Sequence, residues 1–262
     1  MVHMPYKMIV TDLDRTLLRS DKTISAFSAE VLRECQRRGI IVAFATARPK
    51  RVVTDFLAVV PADAVIYHNG AVIHIGGELF ASYGIDAAIT WEILHLYSRE
   101  YPNLRLSVEI DDVLYANFDV SAIWSNVSAI QTDFTDKLPN KSADKILVSA
   151  SSMEEVEAFT QHLPDHLYME LSEHTVGMIM HRDVTKQTAV RALADHYGIG
   201  MEEVAAFGDD YNDIGMLRAC GAGIAVENAL DEVKAAADFI CPNNDEDGVA
   251  KWIEAHVLSE IR

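Results

Sequence analysis

The sequence predicts an α/β fold: a Rossmann-like, doubly wound parallel sheet with an α+β cap domain inserted into it. Three observations carry that expectation. Short, continuous apolar runs of strand length alternate with helical periodicity near both ends of the chain, as in a parallel sheet covered on both faces. Between them the texture changes to alternating or mixed strands among fewer helices. Polar residues capable of chemistry cluster directly after the apolar runs, at the strand ends where open α/β sheets bind ligands. The expected division is residues 1–81 and 182–262 for the core, and 82–181 for the insert.

Taken in order, Lys7 to Thr11 (K-M-I-V-T) is the first buried strand. A helix follows over Ser25 to Arg38, with Phe27, Val31, Leu32 and Cys35 at helical spacing and Gly39 as its stop. Ile40 to Ala45 is a second strand, Lys50 to Val60 a helical stretch and Ala64 to Tyr67 a third strand. In the insert, helices are expected at Ala87 to Arg99 and Met153 to His162. Its strands are expected at Arg105 to Ile110, Val113 to Asn117, Lys145 to Ser149, Tyr168 to Leu171 and Val176 to Met180. The core pattern then returns: helix Lys186 to Tyr197, strand Val204 to Phe207, helix Asn212 to Cys220, strand Gly223 to Val226, helix Asp231 to Ala237 and strand Phe239 to Cys241.

Composition narrows the function. With 22 Lys plus Arg against 40 Asp plus Glu, the net charge is −18. That opposes nucleic-acid binding, where affinity comes from cations releasing counterions. A small phosphate remains compatible if a metal or a few local cations offset the field. No apolar run approaches the ~20 residues of a membrane span, and Met1 to Lys7 holds no secretory apolar region, so a cytoplasmic location is expected. Cys35, Cys220 and Cys241 are odd in number and widely spaced, which fits buried reduced thiols rather than disulfides or zinc.

Four constellations carry chemistry. Asp12-Leu-Asp14-Arg-Thr16 follows the first strand; in extended chain its two aspartates point the same way, a hard oxygen pair suited to Mg²⁺. An acidic turn is also a common solvated loop. Gly208-Asp209-Asp210-Tyr211-Asn212-Asp213 follows another strand, with Gly208 read as permitting a tight turn and Asp209 and Asp213 within reach of one site. Helix capping accounts for one of these acids, not for four Asp or Asn in six residues. Thr46-Ala47-Arg48 offers a hydroxyl and backbone N–H groups to phosphate oxygens. Lys186 opens a helix, at the end where a cation is unfavourable without an anionic partner.

In this order the motifs resemble the haloacid dehalogenase-like phosphohydrolases, and within them the Cof-type subgroup with a large inserted cap. Leu17 to Ser25 resembles that subgroup's flap, His68-Asn-Gly-Ala71 its N-G-A turn, Val226-Glu-Asn-Ala229 its asparagine-bearing loop and Asn244 to Val249 its closing segment. The resemblance implies a Mg²⁺-dependent phosphatase of small phosphorylated, sugar phosphate-like metabolites. It makes Asp12 the nucleophile that becomes an aspartyl phosphate and Asp14 the general acid and base. Thr46 and Lys186 hold the phosphoryl oxygens, with Ala47 and Arg48 completing the phosphate turn. Mg²⁺ lies between Asp12, the backbone carbonyl of Asp14 and Asp209, with Asp213 beside it, and Asn212 touches phosphate or orients Lys186. As an acid Asp14 is expected to have a raised pKa.

Arg15, Ala47 and Gln187 stand where the subgroup more often has glycine, and bear on substrate choice more than on chemistry. Glu170, Glu173 and His181 are candidates for the specificity surface. Two other readings share the motifs: a phosphomutase of the same superfamily and a non-catalytic phosphoryl-binding module. Other patterns are set aside. Pro164 breaks the helix that His162 and His166 would need for zinc. Asn126-Val-Ser128 is a glycosylation match without a secretory signal, and Gly221-Ala-Gly223 lacks the frame of a dinucleotide fingerprint. Trp91 and Trp124 are expected in the apolar core of the insert.

Overall fold

All four residues of the first strand, β1 (Met8–Thr11), are buried, so both of its faces are covered. The computed structural model describes residues 6–123, 127–135, 138–172 and 175–259. After β1 come α1 (Ala26–Arg37), β2 (Ile41–Ala45), α2 (Thr54–Val59), β3 (Ala64–Tyr67), β4 (Val72–Ile75) and β5 (Glu78–Ser82). The Ser25 side chain accepts from the Ser28 N–H to start α1. The predicted helix over residues 50–60 is a 3-10 turn, Lys50–Val52, followed by α2.

The chain divides into two units, Met1–Ala81 with Thr185–Arg262, and Ser82–Val184. The second contains α3 (Ala87–Glu100), β6 (Leu106–Ile110), β7 (Val113–Ala116), β8 (Ile130–Gln131), β9 (Lys145–Ser149), α4 (Met153–Thr160), β10 (Leu167–Ser172) and β11 (Val176–His181). Its sheet runs β10-β11-β9-β6-β7-β8, antiparallel except for the last pair. Alternate residues Leu106, Val108 and Ile110 of β6 join Ile93, Leu94 and Tyr97 of α3 and Phe159 of α4 in one apolar cluster. Residues 182–184 stay with this unit because Arg182 N–H donates to His166 and Tyr168 Oη donates to the Val184 carbonyl at 3.1 Å. Trp91 does not join the core as expected. The buried stripe of α3 is Thr90, Ile93, Leu94 and Tyr97, and Trp91 falls off it, half-buried against the His95 ring at 4.7 Å. Trp124, Asn126 and Glu173 lie outside the described residues.

The first unit resumes with α5 (Lys186–Tyr197), β12 (Val204–Gly208), α6 (Ile214–Ala219), β13 (Ala222–Val226), α7 (Asp231–Ala236), β14 (Phe239–Cys241) and α8 (Gly248–Ile253). Its sheet order is β14-β13-β12-β1-β2-β3-β4-β5, parallel from β14 through β3. β1 is central, and the order reverses there: the chain winds outward through β2 and β3, then returns to the other side through β12 and β13. That reversal opens a crevice beyond the carboxyl ends of β1, β2 and β12. The β4–β5 hairpin was not expected. Its turn is Gly76-Gly77, both at positive φ (57° and 87°), and β4 runs antiparallel to β3. Among the described residues no helix is long and apolar enough to cross a membrane.

The core cluster of the first unit is carried by side chains such as Phe44, Phe207, Leu32 and Ile253, all fully buried. Replacing Phe44, which is 0% exposed, by alanine is expected to destabilise this unit by about 3–5 kcal/mol in denaturant titrations. The control is Leu79→Ala on β5, 61% exposed, which should stay within about 0.5 kcal/mol of wild type. Equal effects would mean that the strand order above is wrong.

Candidate active site

Lys186 is the first residue of α5. Thr185 caps that helix: its hydroxyl accepts from the Thr188 N–H, and the Thr188 side chain accepts from the Thr185 N–H. The cap points the Lys186 side chain inward, where it is 1% exposed. Its Nζ lies 2.6 Å from Asp12 Oδ1 and 2.7 Å from Asp213 Oδ1. Asp12 stands at the end of β1, its N–H bonded to the Phe207 carbonyl of β12. Asp213 closes the 3-10 turn Tyr211–Asp213 after β12, and its Oδ2 accepts from the N–H groups of Asp209 and Asp210 at 2.9 and 3.2 Å. Asp209 receives the Thr16 hydroxyl at 2.9 Å, with the Arg15 guanidinium 3.7 Å from its other oxygen.

Two buried carboxylates, Asp12 and Asp213, therefore share one ammonium, with Asp209 beside them. Ligand atoms of Asp12, Asp209 and Asp213 all lie within 4.8 Å of one another. Burial, together with the charges of Asp213 and Asp209, pushes the Asp12 carboxyl well above its ordinary range despite Lys186. Burial, then Asp213, pushes Asp209 up to about 7. Burial opposes the Lys186 ammonium, but Asp12 and Asp213 outweigh it and hold it above the usual lysine range. The cluster is short of positive charge, and an all-oxygen donor set of this kind fits a hard divalent cation such as Mg²⁺.

Gly208 serves a different purpose from the one expected. Among the described residues it is not one of the glycines at positive φ. What it supplies is space, since a Cβ there would stand 2.4 Å from the Asp213 Cβ. The strand end has no side chain so that the Asp213 carboxylate can fold back over it.

Asp14 departs from the sequence picture. The chain leaves the extended form after Asp12, in the wide turn Leu13–Leu17, where Arg15 is at φ 60°. The Asp14 carboxylate therefore does not share the Asp12 cluster. The Arg48 guanidinium holds it through both oxygens, with Nη2 to Oδ1 at 2.6 Å, and Lys22 donates at 2.8 Å. Burial raises the Asp14 carboxyl, but hydrogen bonds and charge from Arg48 and Lys22 outweigh it and leave the group below its ordinary range. The expected raised pKa is thus corrected, and the reason is two cations that spacing within the motif does not reveal.

Thr46 is buried at the end of β2, and its hydroxyl accepts from the Arg48 N–H at 3.1 Å, forming the turn that Ala47 sits in. Asn212 turns to Asn69 instead of Lys186, donating from Nδ2 to Asn69 Oδ1 at 3.0 Å. Glu170 and His181 lie on β10 and β11 of the second unit. Lys22, Asn69, Asn228 and Asn244 fall in the segments that resemble the subgroup's flap, N-G-A turn, asparagine-bearing loop and closing segment, with no role expected for any of them singly. The last two form a chain: Asn244 Nδ2 donates to the Leu18 carbonyl, Asn244 N–H donates to Asn228 Oδ1, and Asn228 Nδ2 donates to the Arg15 carbonyl at 2.7 Å. Arg19 with Asp247, and Ser20 with Asp245, tie the 17–25 segment to the 244–249 segment. These contacts pin the turn after Asp14 from outside.

Two outcomes follow. Lys186→Met leaves buried carboxylates without their cation and should cost about 3–5 kcal/mol of stability at neutral pH in metal-free buffer. The loss should shrink at mildly acid pH, as Asp12 and Asp209 take up protons; a pH-independent loss would contradict the charge shortage. For Asp14 the folded pKa is depressed, so its contribution is complete above the ordinary carboxylate range and lost as pH falls through the lowered value. The stability gap between wild type and Asp14→Asn should therefore narrow below about pH 4. A gap that stays constant into strong acid would mean that Arg48 and Lys22 do not hold the ionised form.

The family model of haloacid dehalogenase-like hydrolases matches residues 9–253. A Bacillus subtilis phosphatase, YwpJ, is 31% identical over 96% of this chain and 100% of its own. A second Bacillus subtilis relative, the 5-amino-6-(5-phospho-D-ribitylamino)uracil phosphatase YitU, is 28% identical over 96% and 97%. A solved phosphatase of the haloalkanoate enzyme superfamily from Bacteroides thetaiotaomicron superposes with a TM-score of 0.86 at 25% identity, covering 96% of this chain and 95% of that one. The strand-end motifs and these likenesses agree: the chain belongs to the haloacid dehalogenase-like hydrolases and is a phosphoric monoester hydrolase of the Cof type.

Proposed function

We propose that the protein is a Mg²⁺-dependent phosphatase of small phosphorylated metabolites, sugar phosphates among them, working through an aspartyl-phosphate intermediate on Asp12. The observation that carries the reading is the buried cluster of Asp12, Asp209 and Asp213 around a single Lys186. A phosphoryl group has to be approached here by a carboxylate, an encounter of two anions that needs compensation. Lys186 supplies one cation. Asp12, Asp209, the Asp14 backbone carbonyl and, close by, Asp213 would hold Mg²⁺, which when bound adds charge compensation for the phosphoryl oxygens.

In this reading an Asp12 carboxylate oxygen attacks phosphorus, the phosphorus–oxygen bond to the alcohol breaks, and Asp14 delivers a proton to the leaving oxygen. Water then attacks the same phosphorus, gives a proton back to Asp14, and the bond to Asp12 breaks to release inorganic phosphate. Thr46, the Ala47 turn, Arg48 and Lys186 bind and orient the phosphoryl group, and Asn212, expected to touch phosphate or orient Lys186, instead supports the Tyr211–Asp213 turn through its bond to Asn69. Arg48 and Lys22, which grip Asp14 in the resting site, must yield to the phosphoryl group before a proton can reside there. The relative named for a phosphoribitylamino-uracil supports a phosphorylated small molecule as the substrate class. Net charge −18 disfavours nucleic-acid polymers as partners. Cys35, Cys220 and Cys241 are buried free thiols, which fits the reducing cytoplasm.

The test is phosphate release from a panel of phosphorylated metabolites with and without Mg²⁺, beside Asp12→Asn. Release should require the metal and fall by at least about 10³-fold in the variant. Full activity in excess chelator, or undiminished turnover by Asp12→Asn, would sink the mechanism. Transfer to a second hydroxyl, dependent on a bisphosphate activator and without phosphate release, would identify a phosphomutase. Phosphate binding without either reaction would identify a binding module.

A further inference from the structure

Asn69 stands where three strand-end segments of the site meet. It lies in the turn His68–Gly70 after β3, is 2% exposed, and has left-handed backbone angles of φ 58° and ψ 20°. Its N–H donates to the Thr46 carbonyl at 3.0 Å, fixing the peptide that leads into the Thr46-Ala47-Arg48 turn. Its Oδ1 accepts from Asn212 Nδ2 at 3.0 Å, and Asn212 is the neighbour of Asp213 in the Tyr211–Asp213 turn. The next residue, Gly70 at φ 117°, runs against Thr185, where an added Cβ would stand 2.5 Å from the carbonyl oxygen. Thr185 is the cap of the helix that Lys186 begins.

The two amides are not a self-sufficient pair. Among the described residues, Nδ2 of Asn69 and Oδ1 of Asn212 are both buried and find no hydrogen-bond partner. Glycine would take the same backbone angles with less strain and bury no unmatched amide. A residue that served only the turn would not need this side chain.

We propose that Asn69 is a positioning residue for phosphoryl transfer. Its amide locks the Tyr211–Asp213 turn to the Thr46 turn, so that Asp213, the Lys186 ammonium it holds and the Thr46 hydroxyl keep one spacing. The inference rests on the phosphatase reading for its turnover readout. Its geometric content is read separately, by the binding of inorganic phosphate.

The experiment compares wild type, Asn69→Gly, Asn212→Ala and the double variant, using p-nitrophenyl phosphate for turnover and calorimetric binding of inorganic phosphate, both with Mg²⁺. Asn69→Gly keeps the left-handed turn and should keep the melting temperature. Its kcat should fall about 10²-fold with a much smaller change in KM, as for displaced but intact reacting groups, and phosphate binding should weaken several-fold. The double variant should be no worse than the poorer single variant, because both substitutions break one interaction. Unchanged kcat and unchanged phosphate binding in Asn69→Gly, or fully additive losses in the double variant, would overturn the assignment. Should Asn69→Gly unfold, Asn212→Ala, which leaves the His68–Gly70 backbone untouched, must show the same kcat loss for the proposal to stand. A wild type that binds phosphate but hydrolyses nothing defeats the phosphatase reading alone, and the Asn69 assignment is then decided by the phosphate affinities. A wild type that does neither defeats both.

Discussion

The Lys186 ammonium, buried between Asp12 and Asp213, is the interaction on which the rest of the site depends. Two carboxylates from the segments that follow β1 and β12, with Asp209 beside them, are brought close enough to repel and are kept there by one cation. Each of the four residues is set by a different local device. Asp12 ends a fully buried parallel strand, Lys186 starts a helix with a reciprocal Thr185–Thr188 cap, and Asp213 folds over a strand end kept bare by Gly208. Asp209 is held by the hydroxyl of Thr16 from the first motif. The parallel sheet makes this possible because β1 and β12 are neighbours and end together, Thr11 paired in register with Phe207.

Asp14 obeys the opposite electrostatics two residues away from Asp12. The wide turn after Asp12 rotates the Asp14 carboxylate out of the acidic cluster and into the grip of Arg48 and Lys22. One carboxyl is pushed up by burial among acids and the other is held down by two cations, so the pair is differentiated before any ligand arrives. This order is the reverse of the one the proposed roles require, an ionised nucleophile and a protonated acid, so Mg²⁺ beside Asp12 and displacement of Arg48 from Asp14 would each have to invert it. Arg48 thereby links the turn after β2 to the turn after β1, and under the proposed function a phosphoryl group would compete with Asp14 for that guanidinium.

Most of the core architecture was legible because its signals are local. The apolar runs at residues 7–11, 40–45 and 204–207 are too short for helices and too continuous for half-exposed strands. Thr185 before Lys186 and Gly198 after Tyr197 punctuate α5 at both ends, with Gly198 left-handed at φ 66°. The β4–β5 hairpin is not among the expected elements although Gly76-Gly77 is a hairpin signal, because β5 is mostly exposed and lacks the continuous apolar run of the buried strands. Asp12, Asp209, Asp213 and Lys186 could be named because motif order points to them. Arg48 on Asp14 spans 34 residues and Asn69 with Asn212 spans 143; no periodicity or spacing encodes which polar side chains meet across such separations. Gly208 shows the same limit for a glycine: its presence was informative, but whether it serves a turn or a close approach depends on a side chain five residues on.

The strained backbone around the site follows from the same arrangement. Arg15, Lys22, His68, Asn69 and Asp247 all adopt positive φ, between 50° and 62°, where side chains other than glycine are uncommon. Each lies in a segment that touches the carboxyl ends of β1, β2 or β3, or in the 244–249 segment that braces them. Such angles persist only when surrounding contacts over-determine them, and here those contacts are visible. Asn228 holds the Arg15 carbonyl, Arg19 and Ser28 hold Asp247, and the Thr46 carbonyl holds the Asn69 N–H. At Arg15 the left-handed turn has a further consequence, because it carries a guanidinium to within 3.7 Å of Asp209, in a cluster otherwise short of positive charge. A glycine there would relax the turn and withdraw that cation, so the strain at Arg15 and the charge balance at Asp209 are two sides of one substitution. Local conformational energy is thus exchanged for electrostatic compensation at a place where three buried carboxylates coexist.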